Sequence, residues 1–335
     1  MKKKAGIVIA VLAAAVVALF IISDAIAAKE TQRTFFAMDT LVTAKVTSAE
    51  PEETIAQIEA EILALENGVI SRHNPDSELA KLNGKGGKVS EKLSKMLATL
   101  IDVSKKSKGA FDFVLGSVSD LWGFGKKAAV PEKERLADAL SHSGAGKITL
   151  SGNILTFTDE SAVIDLGASG KGAALDAAKG ILGNAKVKRA VISVGGSILL
   201  YGEGDFTVGI RNPDGNSGEF VATLKTEACC VSTSGNYERY FEENGVRYHH
   251  ILDPKTGYPV SNGLVSVTVI SENGLLSDAL STACFVLGIE DGMKLAEEYG
   301  CEAVFITESK EVYATANADS MLEINDKSYT RAVQK

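Results

Sequence analysis

Apolar and polar positions recur in two rhythms along this chain, and the changes of rhythm mark its elements. Residues 40–47 read as a strand, after which Ile55, Ile58, Ile62 and Leu65 fall on one face of a helix. A second helix begins near Ser90, with Leu93, Met96, Leu97, Leu100 and Ile101 turned inward. Short strands over 147–165 are broken by Gly152-Asn153 and Asp159-Glu160, a hairpin pattern. A helix over 170–182 leads to a strand at 190–194 and a Gly195-Gly196 turn. Further strands are expected over 205–211, 219–225, 246–252 and 264–270, then helices over 277–287 and 290–299 and a final strand pair. Hairpins in succession with helices set between them predict an α+β fold of mostly antiparallel sheets with packed helices. A doubly wound parallel sheet would alternate strand and helix throughout.

The N-terminus breaks the pattern. Lys2, Lys3 and Lys4 precede an uncharged apolar run from Ala5 to Ile22, followed by Ala25-Ile26-Ala27, a small-x-small cleavage pattern. Residues 1–28 are therefore expected to be a signal peptide or an apolar membrane-anchor helix, and 29–335 a single domain. The lysines should stay in the cytoplasm, which puts the domain on the periplasmic, extracytoplasmic side of the inner membrane. The segment has no cysteine, so it cannot carry a lipid-modified one.

Composition narrows the chemistry. At 45% hydrophobic residues the chain can build a real core. Its formal net charge is −8; three lysines against Asp24 make +2 in the first 27 residues, which leaves −10 for the rest. An acidic body argues against nucleic acid as a partner. Cys229, Cys230, Cys284 and Cys301 read as buried free thiols, with a disulfide as the alternative in an oxidising compartment. No CxxC pair exists, which argues against a cysteine-rich zinc site.

Several segments carry chemistry. Asp165-Leu166-Gly167-Ala168-Ser169-Gly170-Lys171-Gly172 is a strand end, a glycine-rich turn and a helix start, and such turns present backbone N–H groups to anions. It matches neither the Walker spacing nor GxGxxG, but Asp165 and Lys171 beside the glycines point to a phosphate or nucleotide. Asp278 and Thr282 stand at i,i+4, so a helix puts both on one face, where a carboxylate and a hydroxyl suit Mg²⁺. Asp278 would equally suit a helix N-terminus with no metal. Gly109-Ala110-Phe111-Asp112 holds another acid beside an aromatic ring, and Met38-Asp39-Thr40 opens the first strand.

Residues 232–259 crowd small, polar and titratable side chains where a scaffold would place an apolar alternation. Two of the four histidines, His249 and His250, stand here near Asp253-Pro254 and Gly257-Tyr258-Pro259. A histidine titrates near neutrality and can act as acid or base; neighbours on a strand face opposite ways, so only one should face a site. Ser234-Gly235-Asn236 and Lys255-Thr256-Gly257 echo two signatures of serine penicillin-binding enzymes, but the SxxK nucleophile is absent and the two lie too close together.

Taken in order, these segments resemble the ApbE-type FAD:protein FMN transferases. The resemblance runs through Met38-Asp39-Thr40, Pro75-Asp76-Ser77-Glu78-Leu79, Gly109 to Asp112, Leu121-Trp122-Gly123-Phe124-Gly125, Asp165 to Gly172, Gly195-Gly196, Thr233-Ser234-Gly235, His250 to Pro259, and Asp278 to Thr282. It implies an ApbE-like fold and a Mg²⁺-dependent transferase that moves FMN from FAD onto a Thr or Ser hydroxyl of an exported or membrane-bound redox protein, releasing AMP. By motif position, Asp278, Thr282 and the carbonyl of Ala168 would hold Mg²⁺. Met38, His73, Ala110, Phe111, Asp112, Asp165, Lys171 and Leu252 would line the FAD site, with His250 catalytic and Asp253 supporting it. Acceptors of the family carry a Ser/Thr flavinylation motif; no convincing copy occurs here, so the acceptor should be a separate protein. The competing expectation is an exported FAD-binding protein or a pyrophosphatase that cleaves FAD to FMN and AMP. A structural envelope protein would have no use for the clustered acids.

Overall fold

Among the described residues, nine strands lie side by side in the main sheet in the order in which they occur in the chain. Numbered within this sheet, they are β1 (Lys29–Ala37), β2 (Thr40–Ser48), β3 (Val187–Val194), β4 (Ser197–Gly202), β5 (Cys230–Gly235), β6 (Leu264–Ser271), β7 (Glu302–Thr307), β8 (Glu311–Ala314) and β9 (Thr330–Arg331). All neighbours pair antiparallel except β8 and β9. The structure is a computed structural model that describes residues 28–125, 127–215 and 218–332. The expected N-terminal anchor helix lies outside these residues. Among those described, no helix is long and apolar enough to cross a membrane.

Local pattern explains the layers. On β2, Val42, Ala44 and Val46 are fully buried while Leu41 is exposed, the period of two of a half-covered strand. They meet helix α1 (Pro51–Leu65) through Ile55, Ile58 and Ile62, which recur at helical spacing. Helix α2 (Glu91–Lys106) starts where Ser90 Oγ accepts from Leu93 N–H at 3.2 Å, and it closes with Lys105 and Lys106 at the negative end of its dipole. Two short helices, α3 (Gly116–Trp122) and α4 (Lys133–Ser141), follow. Then α5 (Gly170–Asn184), α6 (Gly274–Leu287) and α7 (Ile289–Glu298) complete the helical layer over one face of the sheet. The other face of β4–β7 is covered by a three-stranded sheet of Phe206–Arg211, Phe220–Thr226 and Leu322–Ile324, so the central strands are apolar on both sides.

The α+β, mostly antiparallel architecture is as expected, with differences in detail. Strand β1 and helices α3 and α4 are additional. Strand β1 is an edge strand exposed along most of both faces, so it lacks an apolar alternation. Helix α4 buries only Leu136 and Ala139. The strand expected over 246–252 ends at His249, where it pairs with Tyr240 in a separate hairpin, Tyr240–Glu243 with Val246–His249. Helix α6 begins at Gly274, ahead of the expected 277, because Asn273 caps it by accepting from Leu276 N–H at 2.8 Å. All four cysteines are free; three are buried and Cys229 is half-buried.

Candidate functional site

Helices α5 and α6 meet through two glycines, and this contact builds the centre of the site. A Cβ on Gly172 would stand 2.1 Å from the Gly274 carbonyl oxygen and 2.7 Å from Asp278 Cβ; one on Gly274 would stand 2.4 Å from the Gly172 carbonyl oxygen. Each helix then serves the other's N-terminus, where backbone N–H groups have no partner within the helix. Asp278 Oδ2 accepts from Gly172 N–H at 2.9 Å. Asp176 of α5 accepts from Gly274 N–H at 2.7 Å and Leu275 N–H at 2.8 Å. Burial raises the Asp176 carboxyl against these two hydrogen bonds.

Asp278 is only 2% exposed. Its Oδ1 accepts from the Ser197 hydroxyl at 3.2 Å and lies 3.6 Å from Lys171 Nζ. Hydroxyl groups continue along the same seam between β5 and α6. Ser232 pairs with Ser277 at 2.8 Å, and Ser234 pairs with Ser281 at 2.8 Å and with Thr282 at 3.2 Å. Thr282 and Asp278 therefore share a helix face lined by hard oxygen donors, with Ala168 in the turn that opens α5. Among the described residues no three His, Cys, Asp or Glu side chains converge as a metal cluster, so any cation here would rely on hydroxyl and carbonyl oxygens beside Asp278.

The glycine-rich turn is held from outside. Asp165 donates its N–H to the Phe113 carbonyl at 2.8 Å, and its Oδ1 accepts from Gly167 N–H at 2.8 Å. Its Oδ2 faces Arg72 Nε at 3.1 Å. The two terminal nitrogens of Arg72 donate to the two oxygens of Asp120, both at 2.8 Å. Burial opposes the Arg72 charge, but Asp120 and Asp165 together raise its pKa. Asp112 lies half-buried close by, accepting from Val114 N–H at 2.8 Å; burial pushes its carboxyl up to about 6. Phe111 is 1% exposed and stacks on Phe113 at 6.3 Å, and Ala110 is buried, so this segment can offer a ligand its backbone and Asp112.

The two adjacent histidines take opposite directions. His249 is buried, with Nε2 at 2.9 Å from the Val260 carbonyl and its ring edge-on to Phe285 at 5.9 Å. His250 has its Nδ1 at 3.2 Å from the Arg239 carbonyl. A carbonyl only accepts, so Nδ1 carries the proton and Nε2 keeps a lone pair. Burial, and after it the charge of Lys171, pushes the His250 imidazolium down to about 4. At neutral pH His250 is a neutral base within reach of the Lys171 charge.

Asp253 holds the turn that follows His250. Its Oδ1 accepts from Lys255 N–H at 2.9 Å, its carbonyl accepts from Thr256 and Gly257, and its N–H donates to Tyr258, so its polar groups close their own turn. No hydrogen bond joins it to His250 among the described residues. Leu252 is buried near Trp122 and Leu136, and Trp122 Nε1 anchors the turn by donating to the Gly257 carbonyl at 2.7 Å.

Two loops complete the mouth. Met38 and Asp39 form the β1–β2 turn with φ of 54° and 55°, and Arg239 Nη2 donates to the Asp39 carbonyl at 3.3 Å. A Cβ on Gly195 would lie 3.0 Å from Thr40 Oγ1 and 3.5 Å from Lys171 Cδ. A cavity of about 310 Å³ continues from Gly195 and Gly196 past Thr233 and Tyr237. His73 lies exposed on the loop next to Arg72. The structure thus brings Lys171 to 3.6 Å from Asp278, one helical turn from Thr282, and puts His250 within reach of the Lys171 charge, while Asp165 heads the turn that leads to Lys171. Sequence reasoning missed Arg72, Ser197, Ser234 and Asp176. Only Ser234 carried a local signal, the Thr233-Ser234-Gly235 motif; the others act on partners distant in the chain.

The model of the ApbE family matches residues 38–305 of this chain. A FAD:protein FMN transferase of Treponema pallidum (strain Nichols) is 33% identical over 326 residues, covering 89% of this chain and 90% of that protein. One of Haemophilus influenzae is 31% identical over 297 residues, covering 83% and 85% respectively. Among solved structures, the ApbE protein of Thermotoga maritima MSB8 matches with a TM-score of 0.79 at 28% identity, covering 88% of this chain and 99% of that one. The flavin transferase ApbE of Vibrio cholerae matches with a TM-score of 0.78 at 26% identity, covering 88% and 99%.

Proposed function

This chain belongs to the ApbE family, and from that premise we propose that it is an FAD:protein FMN transferase. The reaction transfers FMN from FAD to a Thr or Ser hydroxyl of a separate acceptor protein and releases AMP. One observation carries the reading: Lys171 stands 3.6 Å from the buried carboxylate of Asp278, and its charge reaches His250, whose Nε2 lone pair is left free by the Nδ1 contact with the Arg239 carbonyl. A base, a phosphate-directed cation and a cation-directed carboxylate are what phosphoryl transfer to a hydroxyl requires.

The acceptor oxygen attacks the FMN-side phosphorus of the pyrophosphate. A new P–O bond forms while the bond from that phosphorus to the bridging oxygen breaks, and AMP leaves with the bridging oxygen. His250 takes the hydroxyl proton on Nε2, which its Nδ1 hydrogen bond to Arg239 leaves unprotonated. Lys171 offsets the charge of the pyrophosphate, and the N–H groups of the glycine-rich turn orient it.

Mg²⁺ fits the donor set: a buried carboxylate and neighbouring hydroxyls are hard ligands, and Lys171 marks a spot that already favours positive charge. Asp278, Thr282 and the Ala168 carbonyl would hold it. Bound there, it would neutralise phosphate oxygens of FAD.

The N-terminal apolar run would export the domain and keep it at the inner membrane, facing acceptors that are themselves exported or membrane-bound redox proteins. The test is to incubate the full chain with FAD, Mg²⁺ and a candidate acceptor and to look for flavin fluorescence on the acceptor after denaturing electrophoresis. Labelled acceptor with stoichiometric AMP supports transfer. AMP release with no label on an acceptor that a Vibrio cholerae ApbE does label would mean FAD hydrolysis instead.

A further inference from the structure

Arg72, which the proposed chemistry does not itself employ, sits at a junction of three segments. Its side chain is 11% exposed, and it leaves the 71–77 loop to place both terminal nitrogens on Asp120 of α3 and Nε on Asp165 at the head of the glycine-rich turn. Asp165 passes the constraint on, since its other oxygen holds Gly167 N–H at 2.8 Å. One planar group with donors in fixed directions therefore sets the loop carrying His73, the helix α3 and the turn leading to Lys171 in a single arrangement.

Charge gives the junction a second effect. Asp112, Asp165 and Asp278 all border the site, and a pyrophosphate would bring two further negative charges. Lys171 stands beside Asp278, and Arg72 is the cation in contact with Asp165. Without it an acidic side chain 24% exposed would face the incoming anion unneutralised.

We infer that Arg72 is a positioning residue for FAD: it fixes the glycine-rich turn through Asp165 and cancels the Asp165 charge, so that the pyrophosphate can settle there. The inference rests on the reading that this site binds FAD. Lysine in its place would keep the charge and lose the three-way geometry, whereas glutamine would lose both.

The experiment is an equilibrium titration of the full chain with FAD, read by flavin fluorescence, for wild type, R72K, R72Q and D120N. We expect R72K to weaken FAD binding about tenfold and R72Q by about tenfold to a hundredfold, with binding stoichiometry kept. D120N should weaken it about threefold. The R72Q deficit should shrink as salt is raised, because part of it is repulsion. A merely structural role would lower the stoichiometry and leave the dissociation constant of the remaining sites alone, and that result overturns the inference. So does a wild-type dissociation constant in both R72K and R72Q. If R72Q does not fold, R72K and D120N decide the matter, since both keep most of the junction. Failure of the wild-type chain to bind FAD would instead sink the functional reading on which the inference stands.

Discussion

Gly172 donates its backbone N–H to Asp278 Oδ2 at 2.9 Å, across a contact in which only glycine fits. The closeness of α5 and α6 and the placement of the candidate metal carboxylate are thus one geometric fact. Gly172→Ala would drive a methyl to 2.1 Å from the Gly274 carbonyl oxygen, and backbone cannot step aside as a side chain can. The helices must separate, at a cost of about 2–3 kcal/mol, with Asp278 displaced. Expected are a lower denaturation midpoint and loss of transfer. Wild-type stability and activity together would show that the helix contact does not matter.

Asp278→Asn keeps the shape and removes the charge. The amide turns a donor toward either Gly172 N–H or Ser197, and in both orientations it leaves Lys171 without its counter-charge. Transfer should fall by about a hundredfold or more. The rise in melting temperature that millimolar Mg²⁺ gives wild type should vanish in the variant. A preserved Mg²⁺ shift would place the cation elsewhere.

The pH profile follows from His250. Its folded pKa is depressed to about 4 from 6.5, so the base form prevails above about pH 4 and the acid limb of kcat/KM belongs there. Lys171→Gln removes the second cause of the depression and should move that limb toward neutral pH as it lowers FAD affinity. Stability carries the same sign. Below pH 6.5 the unfolded chain takes a proton on this histidine that the folded protein refuses until about 4, so the protein loses stability as pH falls through that window. An acid limb at 6.5, unmoved in the lysine variant, would contradict the depression of the His250 pKa by burial and by Lys171.

Asp112 titrates the other way. Burial raises its carboxyl from 3.8 to about 6, so its charged form costs stability above pH 6, and the cost disappears as pH falls toward 3.8. Asp112→Asn should therefore stabilise the protein at neutral pH by about 2 kcal/mol and by nothing near pH 4, while weakening FAD binding if the carboxylate meets the ligand. Denaturant titrations at the two pH values measure the difference.

The helical faces of α1 and α2, the alternation of β2 and the hairpin succession were all legible in the chain, because they depend on spacings within a few residues. So was the pairing of Asp278 with Thr282 on one face, and the division of His249 from His250. Each of these follows from the pitch of a helix or the pleat of a strand. The family likeness lay in ordered local motifs of the same kind. Strand β1 escaped because an edge strand exposed on both faces has no alternation to show.

Only the tertiary structure decided which groups meet. The Gly172–Asp278 hydrogen bond spans 106 residues, the Arg72–Asp120 fork 48, and the Ser234–Thr282 contact 48. It also decided that Asp253 closes its own turn and that the Phe111 ring belongs to the core. Residue type and local spacing determine what chemistry a side chain can perform. Its partners and its charge state depend on burial and on neighbours that the chain brings up from far away, and those exist only once the helices and the sheet have packed.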